Sequence, residues 1–369
     1  MNLSKSVVTP AIGNTTIDWV RILRSVPKNS ISLKFLSRIL TVGTISLVSA
    51  PFQLYEYLRL HKKIQKTVLD ESPVFILGHW RSGTTFLHNA LCQDPQFAYI
   101  TTLQSLFPHS YLTNPFFSYL ARIAMPPTRP MDDMKIYLGS PQEEEMAMVN
   151  LGPYSLYHIW HFPNQTQAFY KHVAKFEDIN PRQKRQWIKN YLFLLKSAAF
   201  RASKSRLALK NPTNTCRIPT LLELFPNAKF IYIYRHPTEV YASTKKLYKR
   251  IVPIFQLQDF DFESVRKNII WIYKDLLNSY LHDKALIPDG NLIEVRYEDF
   301  INAPMQHLAE IYRQLALPGF KASTANFEAY CNANQKNKKS RYEVQKEELK
   351  EIHREWQFAY EHFGYAFEH

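Results

Sequence analysis

The segment "FILGHWRSGTTFLHNAL", residues 75–91, sets Gly78, four residues, Gly83 and the hydroxyls of Thr84 and Thr85 behind an apolar run. That is the frame of a phosphate-binding loop, in which a turn and a helix N-terminus aim backbone N–H groups at one anion. A Walker loop carries Lys at position 84; here the residue is Thr84, and Arg81 stands inside the turn instead. In nucleotide triphosphatases that lysine handles the β- and γ-phosphates while the Ser/Thr holds magnesium, so its loss argues against a triphosphate. Arg81 offers a planar fork suited to two oxygens of one tetrahedral anion, and Ser82, Thr84 and Thr85 add hydroxyl donors. A donor with one phosphate joined to another charged oxyanion fits such a loop. The plainer alternative is a strand–turn–helix corner with a surface arginine.

A second anion element lies in "IYIYRHPTEVYAST", with Arg235 at the end of an apolar run and Ser243 two helical turns later. Ligands of open α/β sheets bind at the strand ends, so both elements are expected at one sheet edge. Two anion sites there imply a ligand with phosphate groups at both ends of a nucleoside. Lys210 closes "RLALK", a strand that aims it at the same edge; otherwise it is a solvated strand-end lysine.

The elements that must position these residues read as α/β. "PVFILG", "RLALK", "NAKFIYIYR" and "NLIEVRY" are short apolar runs bounded by turn residues, hence strands. Between them "TTFLHNALCQ", "CRIPTLLELF" and "PTEVYASTKKLYKR" read as helices, and "APMQHLAEIYRQLAL" comes after the last strand. This alternation predicts a P-loop-like parallel sheet flanked by helices. Residues 100–200 read as a mostly helical cap, and the tail puts Leu349, Ile352, Trp356, Ala359 and Phe363 on one helical stripe. The basic stretch "NQKNKKSRY" before it reads as a loop. The expected organisation is an N-terminal helical, basic and apolar segment over 1–70 and one main domain over 71–369.

Composition narrows the partners. The 46 basic against 32 acidic residues leave +14, consistent with nucleic acid, an anionic membrane surface or anionic small ligands. No zinc-finger, RNP or helix-turn-helix signature accompanies the charge, so nucleic acid is not expected. Cys92, Cys216 and Cys331 show no metal or CxxC spacing, which points to reduced thiols in a cytoplasmic setting. No secretory signal is expected at the N-terminus. The uncharged run Ile39–Leu54 is shorter than the roughly 20 residues of a spanning helix and contains Pro51. Two readings stay open for it: a buried helix packing on the main domain, or an interfacial helix that makes the protein membrane-associated.

Taken together, the motifs resemble the sulfotransferase superfamily, which uses 3′-phosphoadenosine 5′-phosphosulfate (PAPS). "GHWRSGTTFLHNAL" is similar to its 5′-phosphosulfate loop and "RHPTEVYAS" to its 3′-phosphate element, over roughly residues 73–365. "LKNP" and "LLELFPNAKFIYIYRHP" point to a bacterial branch that also resembles tyrosylprotein sulfotransferases. The resemblance implies that Arg81, Ser82, Gly83, Thr84 and Thr85 hold the 5′-phosphosulfate and that Arg235 and Ser243 hold the 3′-phosphate. It places Tyr297 beside the adenosine and Lys210 in the active site. A sulfuryl donor has no γ-phosphate and needs no metal, which accounts for the missing lysine.

In-line transfer at sulfur needs cations at the leaving oxygen, here Arg81 and Lys210, and a base for the acceptor. The tyrosylprotein relatives have a Glu about twenty residues after the loop arginine; here that region reads "AYITTLQSLF", without an acid. The acidic cluster "GSPQEEEMAM" offers Glu143 and Glu144, with His79 as a further candidate. Ser140 as N-cap, Pro141 at N1 and Glu143 at N3 read as a capping box, a structural account of Glu143. His158 and His161 read as lining or core. Aromatics of the cap (Phe107, Tyr111, Phe116, Phe117, Tyr119, Tyr154, Tyr157, Trp160 and Phe162) supply core and a pocket for a lipid, glycolipid or glycan acceptor. The oligomeric state is not legible. The rival readings are a P-loop-type ATP-dependent kinase, or a non-catalytic nucleotide-binding peripheral membrane protein.

Overall fold

The strands Val74–Leu77 (β1), Ala208–Lys210 (β2), Lys229–Tyr234 (β3) and Leu292–Arg296 (β4) pair in parallel in the order β2–β1–β3–β4. The structure, a computed structural model, describes residues 10–124, 128, 136–334 and 344–367. Helices before β2 are α1 (Thr16–Arg24), α2 (Leu36–Gln65), α3 (Thr84–Leu91) and α4 (Thr102–Leu106). They continue with α5 (Pro115–Ala124), α6 (Glu144–Met148), α7 (Thr166–Phe169) and α8 (Pro181–Ala202). After β2 come α9 (Ile218–Leu224), α10 (Pro237–Phe255), α11 (Phe262–Asp283) and α12 (Tyr297–Asn302). The last three are α13 (Pro304–Gln314), α14 (Phe320–Asn334) and α15 (Lys346–Phe363). The α/β reading and its four strands are borne out; "NQKNKKSRY" lies outside the described residues, save Asn334.

The described residues form two compact units whose boundaries differ from the 1–70 and 71–369 division. One gathers Met1–Leu69, Ala98–Ser205 and Tyr248–Val265; the other gathers Asp70–Phe97, Arg206–Leu247 and Arg266–His369. The sheet belongs to the second. β1 is buried at every position, as a central parallel strand must be, and Phe75 stacks on Phe230 of β3 at 5.6 Å. The C-terminal stripe docks here through Ile352, Trp356, Ala359 and Tyr360. Trp356 stacks on Tyr273 at 3.9 Å and its indole N–H donates to the Ile270 carbonyl at 3.1 Å.

In the first unit, α8 opens with a capping box between Asn180 and Gln183 and with Pro181 at its start. Its inner face carries Trp187, Tyr191, Leu194 and Leu195. α2 packs on α1 and α8 and runs unbroken through Pro51 for 30 residues. The buried-helix reading of Ile39–Leu54 is corrected: α2 buries Ser46, Ser49, Gln53 and Glu56 beside Val42 and Ile64, while its leucines face outward. Phe107, Tyr111, Tyr157, Trp160 and Phe162 are core, whereas Tyr119 is exposed. The side chains of Phe116 and Phe117 lie outside the described residues.

His158 and His161 are core as well. The His158 Nε2 pairs with the Gly152 carbonyl at 3.0 Å, and burial pushes this imidazole down to about 4. In the second unit burial takes His79 down to about 4, and burial with the nearby Lys210 charge takes His88 to about 3. Below an ordinary value of 6.5, the unfolded chain binds protons at these sites that the native chain refuses. Stability should therefore be unaffected by them above about pH 6.5 and fall as pH drops from there toward 4, each histidine adding up to ~1.4 kcal/mol per pH unit. Urea unfolding at several pH values checks this; a flat profile between pH 7 and 5 would contradict it.

Candidate active site

The strand order puts β1 and β3 side by side while their onward connections run to opposite sides, the topological switch point where open α/β sheets bind ligands. Both arginines predicted for anion binding come just past the ends of these two strands. After β1 the chain turns through Gly78 and Arg81, with φ of 129° and 72°, and enters α3 through Gly83 at φ 98°. A left-handed arginine is uncommon away from functional turns. The Gly78 N–H donates to the Thr215 hydroxyl at 2.9 Å, and the Ser82 hydroxyl donates to the His79 carbonyl at 2.8 Å. Ser82 thus spends its own proton locking the turn. α3 begins at Thr84; the Phe86 and Leu87 amides bond the Gly83 carbonyl at 3.1 and 3.3 Å, which leaves those of Thr84 and Thr85 as donors without helical partners.

Gly83 has a second reason to lack a side chain. A Cβ there would stand 2.2 Å from the ring of Tyr297, the first residue of α12 at the end of β4. Tyr297 therefore lies directly on the loop. The guanidinium of Arg235 sits over the same ring at 4.6 Å and pairs with Glu239 at 3.0 Å. Arg235 also donates to the Arg81 carbonyl at 3.4 Å. Arg81 Nε donates to the Ser243 hydroxyl at 2.8 Å, so Ser243 enters this bond as the acceptor. The two anion elements are thus one cluster, joined by direct hydrogen bonds.

On the other side of β1, Lys210 ends β2 level with Ile76 and is buried. Its ammonium lies 3.4 Å from the Thr85 hydroxyl. Around the strand ends, Arg81, Arg235, Lys210, Ser243 and Thr85 all carry N–H or O–H donors, a set suited to sulfate and phosphate oxygens. His79 is turned into the protein: its Nδ1 donates to the Trp80 carbonyl at 2.8 Å and its ring packs on Tyr273 at 5.1 Å. Thr215, Glu239 and Tyr273, which brace this cluster, went unread in the sequence. Of these, Thr215 had a signal, because it comes directly after "LKNPTN".

The acidic cluster belongs to the first unit, and there the capping box is corrected. α6 starts at Glu144 with Glu143 itself as N-cap, and no side chain caps it. Residues 140–142 are taken up by a bridge to 100–102: Thr102 N donates to the Ser140 carbonyl at 2.9 Å and Gln142 N to the Ile100 carbonyl at 2.8 Å. Extended pairing claims the residues that would have opened the helix. Glu143 is half-buried and accepts a hydrogen bond from the Tyr157 hydroxyl, whose ring stacks on Trp160 at 4.1 Å. Glu144 is 0% exposed and accepts from Tyr191 Oη at 3.0 Å. Glu145, equally buried, accepts from Leu156 N at 2.6 Å. Both thus have structural duties that the sequence did not reveal.

The comparisons with known proteins agree in kind. Residues 73–322 match the description "Sulfotransferase family". Over 321 residues the chain is 31% identical to the omega-hydroxy-beta-dihydromenaquinone-9 sulfotransferases of Mycobacterium bovis and Mycobacterium tuberculosis, covering 87% of this chain and 82% of each relative. A sulfotransferase structure from Mycobacterium avium shares the fold with a TM-score of 0.70 at 17% identity, over 95% of this chain and 90% of that one. One from Mycobacterium tuberculosis H37Rv gives 0.67 at 15% identity, over 90% and 89%.

The Gly83–Tyr297 contact can be separated from backbone strain. Gly83→Ala should destabilise the protein by about 1–3 kcal/mol for the left-handed φ plus the cost of displacing the ring. Adding Tyr297→Ala should recover the second part and leave the first, as read by urea unfolding of both single variants and the double. Simple additivity of the two single changes would remove the contact from the account.

Proposed function

The chain belongs to the sulfotransferase family, and we propose that it moves the sulfuryl group of PAPS to a hydroxyl of a lipid-like acceptor. The observation that carries this reading is the single cluster of Arg81, Ser243 and Arg235 at the β1/β3 switch point, with Lys210 on the next strand. Arg81 and the α3 N-terminus, with Thr84 and Thr85, hold the 5′-phosphosulfate. The Nε–H bond of Arg81 to Ser243 fixes the plane of the guanidinium fork. Ser82 and Gly83 shape the turn, Arg235 and Ser243 take the 3′-phosphate, and the Tyr297 ring supports the adenosine side.

Transfer forms a bond from the acceptor oxygen to sulfur and breaks the bond from sulfur to the 5′-phosphate oxygen. The electron pair leaves with 3′,5′-ADP, and the acceptor proton goes to the base. Lys210 and Arg81 answer the charge that grows on the bridging oxygen, which makes a metal unnecessary. Of the candidate bases, Glu143 is the one that combines partial exposure with a fixing contact, the Tyr157 hydroxyl. Glu144 is sealed in the core, and His79 is committed to Trp80 and Tyr273. The acceptor class rests on the mycobacterial relatives, whose name gives an omega-hydroxy menaquinone derivative as what they sulfate. Peripheral contact of the N-terminal segment with a membrane would bring such an acceptor within reach.

Isothermal titration should show 3′,5′-ADP binding more tightly than 5′-AMP or ATP. Arg235→Ala should cost about 1.5–3 kcal/mol of that affinity, the value of a hydrogen bond to a charged group. Unchanged affinity would remove Arg235 from the 3′-site.

Turnover of PAPS should persist in EDTA. Lys210→Ala should lower kcat far more than it weakens 3′,5′-ADP binding, the signature of a group acting in the transition state. Glu143→Gln keeps the shape and the Tyr157 contact but removes the proton acceptor, so the rate should fall about 10²–10⁴-fold with little loss of stability. Glu144→Gln should keep far more activity than Glu143→Gln. Full activity of Glu143→Gln would end its assignment as base.

A further inference from the structure

α2 carries its polarity inside out. Toward the protein it presents the buried Ser46, Ser49, Gln53 and Glu56. Outward it presents Leu40, Leu47, Leu54 and Leu58, which are 59%, 65%, 58% and 73% exposed. Steps of seven, seven and four residues keep these leucines on one helical stripe, and Val48, Phe52 and Tyr55 widen it. A continuous apolar face of this kind marks a surface that is covered in use.

Its surroundings say by what. Beyond the stripe, α2 ends in the exposed cations Arg59, Lys62, Lys63 and, as its C-cap, Lys66. Beside it lies a groove of about 470 Å³ lined by Tyr57, His61 and Gln65 of α2, Arg21 of α1, and Arg182 and Lys189 of α8. Asp18 is the one carboxylate among its lining residues, and its Oδ1 is already paired with Arg21 at 3.0 Å. Tyr57, His61 and Gln65 stand one turn apart on the last turns of α2, so the groove adjoins the C-terminal end of the stripe. We infer that α2 docks in the plane of an anionic lipid bilayer, with its leucines in the acyl boundary and a phosphate-bearing lipid headgroup in the groove.

The helix is long and apolar enough to cross a membrane, over Leu33–Gln65, but its contacts tie it to the surface. In its middle the Glu56 carboxylate accepts from Leu112 N, Thr113 N and the Thr113 hydroxyl at 2.9, 2.8 and 2.9 Å. At its start Arg38 donates to the carbonyls of Gln256 and Pro253 at 2.9 and 3.1 Å, and at its end Lys196 donates to the Gln65 carbonyl at 2.7 Å. Spanning would break all three sets and strand a carboxylate in hydrocarbon.

The inference names the surface that would supply the proposed lipid-like acceptor, but its test uses no donor or turnover, so either can fail alone. The full chain is sedimented with phosphatidylcholine vesicles, with and without phosphatidylglycerol. Binding is expected with phosphatidylglycerol, falling about tenfold or more for Leu47→Glu with Leu58→Glu, since carboxylates in the acyl boundary are costly. Arg182→Glu with Lys189→Glu should sharply reduce the preference for phosphatidylglycerol, leaving only the part owed to Arg59, Lys62, Lys63 and Lys66, and leave binding to neutral vesicles unchanged. Both pairs are exposed, so unaltered melting temperatures are expected and confirm folding. Equal binding by the leucine variant overturns the docking face, and an intact phosphatidylglycerol preference in the groove variant overturns the headgroup site. A concentration-dependent dimer in ultracentrifugation, without vesicle binding, assigns the stripe to a second copy of the chain and likewise overturns the inference.

Discussion

Parallel pairing of β1 with β3 is the constraint on which the site depends. The register sets Val74 opposite Lys229 and Leu77 opposite Tyr232, so β3 runs only two residues past the end of β1. The turns leaving both strands are then forced into the same few ångströms. Gly78 shows how tightly, since a Cβ there would meet the Ile233 carbonyl at 2.3 Å. From that closeness comes the hydrogen bond between Arg81 and Ser243, 162 residues apart in the chain. A shift of one residue in register would turn the alternate faces of β3 over and separate the two arginines.

Charge is handled differently in different places. At the switch point cations are gathered, and neutral groups stand among their contacts. Arg235 lies on the Tyr297 ring besides its pair with Glu239, Arg81 meets the Ser243 hydroxyl, and Lys210 meets that of Thr85. A hydroxyl orients a cation without cancelling its charge, so the attraction for an oxyanion survives these contacts. Buried histidines, by contrast, are held neutral, as His79 of the loop and the distant His158 show. Neutral His79 suits its place, because a buried charge two residues from the Arg81 guanidinium would raise the cost of the loop. Its imidazole instead bonds the Trp80 carbonyl and packs on Tyr273.

What was legible in the sequence was what is local. Glycine spacing, apolar runs and the polarity of the helix after Arg235 are decided within a few residues, and the four strands and the anion loop could be read from them. Contacts that depend on strand order were not legible: Tyr297 reaches Gly83 because β4 lies next to β3, and nothing near "VRYEDF" states that neighbour. The capping box around Glu143 failed for a related reason. Ser140 and Pro141 have the residue types of a helix start, but a bridge to residues 100–102 competes for the same backbone groups and prevails. Local propensity is a weak prior where a tertiary hydrogen-bond partner is on offer.

α2 shows the limit of reading hydropathy as burial. An apolar run in a globular chain is ordinarily assigned to the core, because exposing leucine to water is unfavourable. Here the inner face is polar and nonetheless satisfied: Ser46 donates to the Gly43 carbonyl, Ser49 to the Ile45 carbonyl, and Glu56 takes three hydrogen bonds from residues 112 and 113. The Glu56 bonds, with those of Ser46 to Thr16 and Gln53 to the Asn14 carbonyl, tie this side of the helix to the protein, a task usually done by leucines. The leucines are thereby released to the other side, where water cannot reward them. A helix fastened by directional polar contacts can display an apolar face without collapsing onto it. Its inner face fixes its orientation, and its outer face determines the medium in which that orientation is favourable.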